Sequence, residues 1–302
     1  MSETILNPSL LIVVPCFNEE PILDFSIPRL IKEIEDMVNI GLISSEDSGI
    51  CLIDDGSKDA TWKIIKKYSS LTKRVKGIKL TRNQGHQSAL LAGLLRSKDF
   101  ADITISIDAD LQDDPSVIKD MVNLYSNGFD IVYGVRSKRN NDSFAKRLFA
   151  NNFYRLMIFL GVDIVKGHAD FRLISSLALG KLSEYKESSL FLRGMVPLLG
   201  YKSANVYYPR LKRNYGTSKY TFRKSLSLAV DGIISFSSKP LRYISYLALI
   251  LSILLILALL IAFYQFIVGG VVKGWTSLFV LLSFLGSLQF LSLAVIGEYV
   301  GR

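Results

Sequence analysis

Two stretches toward the C-terminal end constrain this chain more than anything else in it. Tyr243 to Val268 contains no charged residue, and neither does Trp275 to Gly297. Each exceeds the roughly 20 apolar residues an α-helix needs to cross a bilayer core of about 30 Å. A buried helix of a soluble protein reaches this apolarity on occasion, but two such runs joined by a short loop read as a membrane hairpin, with spans at 243–268 and 275–297. Lys239 and Arg242 precede the first span and Arg302 follows the second, while the intervening loop offers only Lys273. The positive-inside tendency therefore places both chain ends in the cytoplasm and makes the hairpin a multi-pass anchor in the cytoplasmic (inner) membrane. Met1 to Asn7 is polar and the first apolar stretch is short, so no signal peptide is expected.

Before residue 242 the composition is globular, and 302 residues leave room for one sizeable α/β domain plus a smaller appendage. The net charge of +9 is unevenly divided. Residues 1–135 carry 14 Lys and Arg against 20 Asp and Glu, a balance of −6; residues 136–242 carry 20 against 6, a balance of +14. The basic segment beside the hairpin suits anionic headgroups or a phosphorylated lipid. Nucleic acid would explain neither the acidic half nor the hairpin, so it is not an expected partner. Cys16 and Cys51 are the only cysteines, which indicates no disulfide framework and agrees with a reducing compartment.

The acidic half alternates short apolar runs with longer amphipathic ones. Strands are expected at Leu10–Val14, Ile50–Ile53, Val75–Leu80, Ile103–Ile107 and Asp130–Tyr133, with helices at Ile22–Val38, Ala60–Ser69, Ser88–Arg96 and Ser116–Tyr125. Continuous apolar strands alternating with helices predict an α/β domain with a mostly parallel sheet covered on both faces. Ligands of such sheets bind beyond the carboxyl ends of the strands. No Gly-x-Gly-x-x-Gly follows the first strand and no Walker A pattern occurs, so neither a dehydrogenase nor a P-loop NTPase fits.

Polar clusters follow three of the strands: Pro15-Cys-Phe-Asn18-Glu19-Glu20, then Asp54-Asp55-Gly56-Ser57 with Asp59 close behind, then Asp108-Ala-Asp110-Leu-Gln112-Asp113-Asp114. Asp113, Asp114 and Pro115 read as an ordinary helix start, and Asp59 as a cap. Asp108-x-Asp110 reads differently. Alternate residues leaving a strand bring two carboxylates near one point, where a divalent cation is the natural counter-charge. Mg²⁺ or Mn²⁺ takes such oxygen ligands and commonly completes its shell with substrate phosphates.

Together Val13-Val-Pro15-x-x-Asn18-Glu-Glu20, Asp54-Asp55-Gly-Ser57 and Asp108-Ala-Asp110-Leu-Gln112-Asp113 resemble the family 2 glycosyltransferases of the GT-A (Rossmann-like) fold. With its two closing spans the chain is similar to the bacterial polyprenyl-phosphate subset, the bactoprenol glucosyltransferase-like enzymes, relatives of dolichol-phosphate mannose synthase. The resemblance implies that Pro15, Asn18, Glu20 and Asp54 line a nucleotide pocket, that Asp55 supports its turn, that Asp108 contacts the nucleotide-sugar and that Gln112 faces the sugar. It implies that Asp110 coordinates Mg²⁺ or Mn²⁺ on the diphosphate. Arg82-Asn83-Gln-Gly85-His86 matches a segment near the nucleotide, and His86 reads as a surface residue at a helix start in preference to a catalytic one.

Downstream, Gly134-Val-Arg136 occupies the place of a family arginine for the acceptor phosphate, and Arg147 is a second candidate. Arg147 lies in the amphipathic stretch Phe144 to Leu160, expected to form an interfacial helix at about 143–161. Gly167-His168-Ala169-Asp170-Phe171-Arg172-Leu173 matches the block that carries the catalytic carboxylate, which makes Asp170 the candidate general base or acceptor-orienting group. Arg213-Asn-Tyr-Gly216-Thr-Ser218-Lys219 resembles a mobile loop whose Arg213 and Lys219 clamp phosphates. No Gln-x-x-Arg-Trp motif of the processive relatives is present, so a single transfer is expected. Gly297 to Arg302 resembles a point from which relatives continue into a basic tail. The implied arrangement is a GT-A domain over residues 1–225, a juxtamembrane segment over 226–242 and the hairpin over 243–302. It implies a nucleotide-sugar donor (UDP-glucose first), a polyprenyl (undecaprenyl) phosphate acceptor, inversion at the anomeric carbon, and a homo-oligomer.

Overall fold

The computed structural model describes residues 7–137, 168–185, 192–209, 239–269 and 274–300. They fall into two compact units, one holding every described strand and the other the two long apolar helices. Arg147, Arg213, Lys219, the stretch 143–161 and residues 226–238 lie outside the described residues.

In the first unit the chain runs β1 (Leu10–Cys16), α1 (Glu20–Asn39), β2 (Gly49–Asp54), α2 (Thr61–Leu71), β3 (Val75–Lys79), α3 (His86–Ser97), β4 (Ile103–Ser106), a 3₁₀ turn (Pro115–Val117), α4 (Ile118–Ser126) and β5 (Ile131–Arg136). There follow β6 (His168–Ser175), α5 (Ser176–Leu182), α6 (Leu192–Leu198) and β7 (Ser203–Tyr208). The sheet order is β3-β2-β1-β4-β6-β5-β7. β1 pairs in parallel with β2 and β4, β2 with β3, and β5 with β7, while β6 runs antiparallel between β4 and β5. The mostly parallel sheet is the expected one, and the alternating elements of the first 135 residues all form.

β1 and β2 are buried along their whole lengths, as strands covered on both faces must be. The amphipathic helices supply the cover. α1 buries Ile22, Leu23, Ile27, Leu30, Ile34 and Met37, spaced three and four apart on one face. α3 lies so close over β1 and β2 that a side chain at Gly93 would run into Val13 and Ile53.

β6, like β7, is not among the elements expected above. It sits in the sheet interior and carries Asp170, the candidate catalytic carboxylate, together with Arg172. Both are buried, and each compensates the other: Arg172 Nη2 meets Asp170 Oδ1 at 2.6 Å. A charged pair that neutralises itself inside leaves no hydrophobic trace in the sequence.

In the second unit α7 (Lys239–Val268) and α8 (Trp275–Val300) agree with the expected spans. Both are long and apolar enough to cross a membrane, with mean hydropathy reaching 3.0 in an 18-residue window of Arg242–Val268 and 2.2 in one of Ser277–Gly297. Little of either is buried by protein, and leucines such as Leu254, Leu257, Leu282 and Leu288 are exposed. The two helices pack on each other, Ser245 Oγ donating to the Ala294 carbonyl at 3.1 Å. Ser252 and Ser292 turn their hydroxyls back onto their own helices, donating to Ala248 and Leu288 carbonyls.

Candidate active site

β1, β2 and β4 are parallel neighbours, so the polar clusters that follow them meet at one edge of the sheet. Hydrogen bonds sew the first two together. Asn18, with φ of 53°, donates its backbone N–H to Ser57 Oγ at 3.0 Å and accepts the Lys58 N–H on Oδ1 at 2.9 Å. Asn is one of the few side chains that tolerates this left-handed backbone. Glu20 Oε2 accepts the Ala60 N–H at 2.9 Å, and Asp59 accepts the N–H groups of Glu20 and Thr61. Asp59 does not hold the N-cap position expected of it, which falls to Ala60, but it accepts at both helix starts from just before that position, and Glu20 is partly spent on the same junction. Pro15 is buried at the end of β1 beside Ile53.

Asp54 is wholly buried. Its Oδ1 accepts the Ser57 N–H at 3.0 Å, whereas Oδ2 has no hydrogen-bond donor among the described residues. The two carboxylate oxygens of Asp55 accept the N–H groups of Gln84 at 2.7 Å and Gly85 at 3.0 Å. Gly56, at φ of 66°, lets the Arg82–Asn83 backbone approach within 2.7 Å of where a Cβ would stand. These contacts fix the start of α3.

His86 is the first residue of α3, as expected, and its half-buried side chain also reaches two carboxylates. Its Nε2 stands 3.6 Å from Asp108 Oδ1 and 3.5 Å from Asp170 Oδ2, joining the third acidic cluster to the β6 carboxylate. Burial alone would lower its pKa, but the contacts with Asp170 and Asp108 outweigh it and raise the value above 6.5. Asp108 is pushed up to about 6, first by enclosure in the protein, against the opposing pull of His86, and further by Asp170, Asp113 and Asp110.

Asp170 is held from several sides. Oδ1 accepts from Arg172 Nη2 at 2.6 Å and Arg193 Nε at 3.1 Å; Oδ2 accepts from Arg193 Nη2 at 3.0 Å and Gln87 Nε2 at 3.3 Å. Ser106 Oγ donates to the Asp170 carbonyl. Burial would raise this carboxyl, but Arg193, the His86 contact and Arg172 hold it well below the usual range. Gln87, Arg172 and Arg193 did not emerge from the sequence reading as site residues. Arg193 left one signal there, as the lone cation in the apolar run Leu190 to Leu199.

The loop after β4 makes a sharp turn at buried Leu111, with φ of 45°. Asp110 Oδ1 accepts the Gln112 N–H at 3.2 Å, and Gln112 is buried. Asp114 caps the 3₁₀ turn by accepting the Ser116 N–H, as expected, but Asp113 does not join the helix start. It is buried against Arg136, whose Nε and Nη2 donate to its two oxygens at 2.7 and 2.9 Å, and against Tyr208, whose hydroxyl donates at 2.8 Å. The fork expected to hold an acceptor phosphate is therefore engaged by a carboxylate of the same protein.

No group of three or more His, Cys, Asp and Glu among the described residues is spaced to enclose a metal ion. Asp108 and Asp110 nevertheless present two carboxylates on one short loop, and such a donor set fits a divalent cation that draws its other ligands from a diphosphate. Cys16 and Cys51 are buried free thiols raised by burial, so neither is a nucleophile.

Residues 11–183 match the family described as Glycosyl transferase family 2. The uncharacterized glycosyltransferase YkoT of Bacillus subtilis (strain 168) is 48% identical over 295 residues, covering 98% of this chain and 87% of that protein. The prophage bactoprenol glucosyl transferase homolog of Escherichia coli (strain K12) is 36% identical over 293 residues, covering 96% of this chain and 93% of that one. The bactoprenol glucosyl transferase of Shigella phage SfV is 35% identical over 293 residues, with 96% and 92% covered.

Proposed function

Because the chain belongs to glycosyl transferase family 2, and is therefore a glycosyltransferase, we propose that it moves a single sugar from a nucleotide-sugar to a polyprenyl phosphate, such as undecaprenyl phosphate, at the cytoplasmic face of a membrane. UDP-glucose is the first donor to test. Similarity to two bactoprenol glucosyl transferases runs through the apolar helices as well as the sheet domain, and supports both the lipid acceptor and the membrane setting.

The state of Asp170 carries the choice of acceptor chemistry. An alcohol acceptor needs a base to take its proton, and a carboxylate held well below the ordinary range is a poor one. A phosphate monoester, with a second pKa of about 6, is already largely anionic near neutral pH and needs no base. Asp170 then orients: it fixes Arg193, His86 and Gln87 around the place where acceptor and donor meet. The lipid phosphate oxygen attacks the anomeric carbon, the bond to the nucleoside diphosphate breaks on the opposite face, and the anomeric configuration inverts.

On the donor side Asn18, Asp54 and the loop fixed by Asp55 form the nucleotide edge, and the buried, undonated Oδ2 of Asp54 supports a ligand hydrogen bond there. Asp108 and Asp110 are the residues that would hold Mg²⁺ or Mn²⁺, whose charge would offset that of the departing diphosphate.

The test incubates the detergent-purified protein with undecaprenyl phosphate and radiolabelled UDP- and GDP-sugars, with Mg²⁺ or EDTA. Metal-dependent label in the organic phase from one donor supports the reading and identifies the sugar, and Asp110→Asn abolishes it and weakens metal-dependent nucleotide binding. Absence of lipid-linked label from every donor, with the protein folded and binding nucleotide, would shift the reading to another membrane acceptor or to a non-catalytic nucleotide-sugar scaffold.

A further inference from the structure

We propose that the side-chain carbonyl of Gln87 accepts a hydrogen bond from one hydroxyl of the transferred sugar, and so helps to select which hexose the enzyme takes. The proposal deepens the donor reading above and rests on it. Gln87 is the second residue of α3 and is half-buried, so its amide lies at the wall of the site and is not sealed within the core. Its Nε2 donates to Asp170 Oδ2 at 3.3 Å. An ionised carboxylate only accepts, so the NH₂ end of the amide faces Asp170 and the carbonyl end faces elsewhere. That oxygen, Oε1, is enclosed and meets no donor among the described residues. An enclosed acceptor without a donor costs folding free energy, and proteins seldom keep one that serves no purpose.

Its neighbours place the amide beside the reacting centre. Asp170 Oδ2, which takes the Gln87 N–H, also accepts from Arg193 Nη2 at 3.0 Å and stands 3.5 Å from His86 Nε2. His86 Nε2 is in turn 3.6 Å from Asp108 Oδ1 on the donor loop. Gln87 is therefore joined to the donor carboxylate through Asp170 and His86 alone. The sugar, which sits between the diphosphate and the acceptor, is the part of the donor that passes this point.

The chemistry of a lone carbonyl oxygen narrows the ligand further. It needs a donor. The diphosphate and the lipid phosphate present accepting oxygens near neutral pH, so neither satisfies it. The nucleotide edge is assigned above to Asn18 and Asp54. The hydroxyls of the hexose remain, and each is a donor. Donation from Nε2 to a carboxylate also polarises the amide, which makes Oε1 a stronger acceptor than an amide facing water. A site built to bond one hydroxyl rejects a sugar that lacks it, because the buried oxygen is then left unpaired.

The experiment compares the full-length protein with its Gln87→Met variant, which keeps the length of the side chain and removes both polar atoms. Each receives UDP-glucose and the 2-, 3-, 4- and 6-deoxy forms of that donor, or the matching set for whichever hexose the donor panel selects. Transfer to undecaprenyl phosphate gives kcat and KM, and calorimetry without acceptor gives donor affinity separately. In wild type one deoxy donor is expected to lose about tenfold in kcat/KM against its parent, and in Gln87→Met the same donor is expected to lose nothing against it. A role confined to holding Asp170 would slow the variant equally with every donor and keep the wild-type ratios between parent and deoxy donors; that result would overturn the proposal. So would a wild type that uses every deoxy donor as well as the parent, a result that requires no variant to fold. Gln87→Asn, which withdraws the amide by one methylene, takes the place of Gln87→Met if the latter does not fold, and the same ratios decide. If wild type forms no lipid-linked product from any donor, the functional reading fails, while the calorimetric ratios between parent and deoxy donors still decide the Gln87 contact.

Discussion

Replacing Asp170 by Asn keeps the shape of the side chain and removes its charge, which isolates the electrostatics of β6. The carboxylate receives four hydrogen bonds, from Arg172, Arg193 twice and Gln87, plus the 3.5 Å contact with His86. Asparagine offers one acceptor oxygen, so the donors on the other side meet an NH₂ group. Arg172 suffers most, because it is 0% exposed and no water reaches it to replace the lost charge. Hydrogen bonds to charged groups contribute roughly 1.5–3 kcal/mol each, and breaking a buried pair from one side costs roughly 3–5 kcal/mol. Against a typical domain stability of about 5–15 kcal/mol, that is a large fraction.

The assay is denaturant unfolding of wild type and Asp170→Asn in the same detergent, read by near-UV circular dichroism and repeated across pH. Folding lowers the Asp170 pKa below 3.8. The carboxylate's contribution is therefore complete above about pH 5 and is lost only as the pH falls through the lowered folded value. The stability gap between the two proteins should widen as the pH falls through the His86 titration, because His86 gains its charge beside this carboxylate, and shrink again toward acid. Adding Arg172→Met to Asp170→Asn should recover part of the loss, since the uncompensated charge is then gone as well. A gap under about 1 kcal/mol at neutral pH, or no recovery in the double variant, would refute the claim that the two charges depend on each other.

His86→Gln removes the imidazolium between Asp108 and Asp170. Because its pKa is raised above 6.5, its stabilising effect should be fully present below pH 6.5 and disappear as the pH rises through the folded value, which thermal unfolding of the two proteins across pH 5–9 will show. Gly134→Ala places a methyl group 2.8 Å from Phe171 and 3.0 Å from Tyr208, and should destabilise the sheet domain by about 1–3 kcal/mol, measurable as a lowered unfolding midpoint.

Much of the fold was legible because its signals are local. Continuous apolar strands, amphipathic helices and two charge-free runs are each visible in a window of a few residues, and α1, α3, β1, β2, α7 and α8 appear where those patterns put them. The edge strand β7 was not legible, since Ser203–Tyr208 alternates exposed and half-buried positions without an apolar run. The meeting of the acidic clusters at one edge was legible because they follow strands that read as parallel. The partners of those carboxylates were not, because pairing across distances such as Asp113 to Tyr208 or Asp170 to Arg193 has no sequence period.

His86 and Asp113 show where local reasoning falls short, and they do so in the same direction. Each was given the role that its own segment suggests: a helix start for both, with one left at the surface and the other left as a cap. His86 is drawn inward because Asp55, from a different strand end, fixes Gln84 and Gly85 and so aims the first turn of α3 at Asp170. Asp113 is drawn inward because Asp114 already caps the following turn, which leaves its neighbour available to Arg136. In both cases an adjacent acidic pair divides its work: one carboxylate satisfies local backbone, the other reaches across the sheet. Asp54 and Asp55 repeat the division, with Asp54 closing its own turn onto Ser57 while Asp55 captures the next loop. Doubled carboxylates at strand ends in this chain therefore serve as joints between loops, and that is why the site survives as one unit although its residues are drawn from β2, β4, α3, β6 and α6.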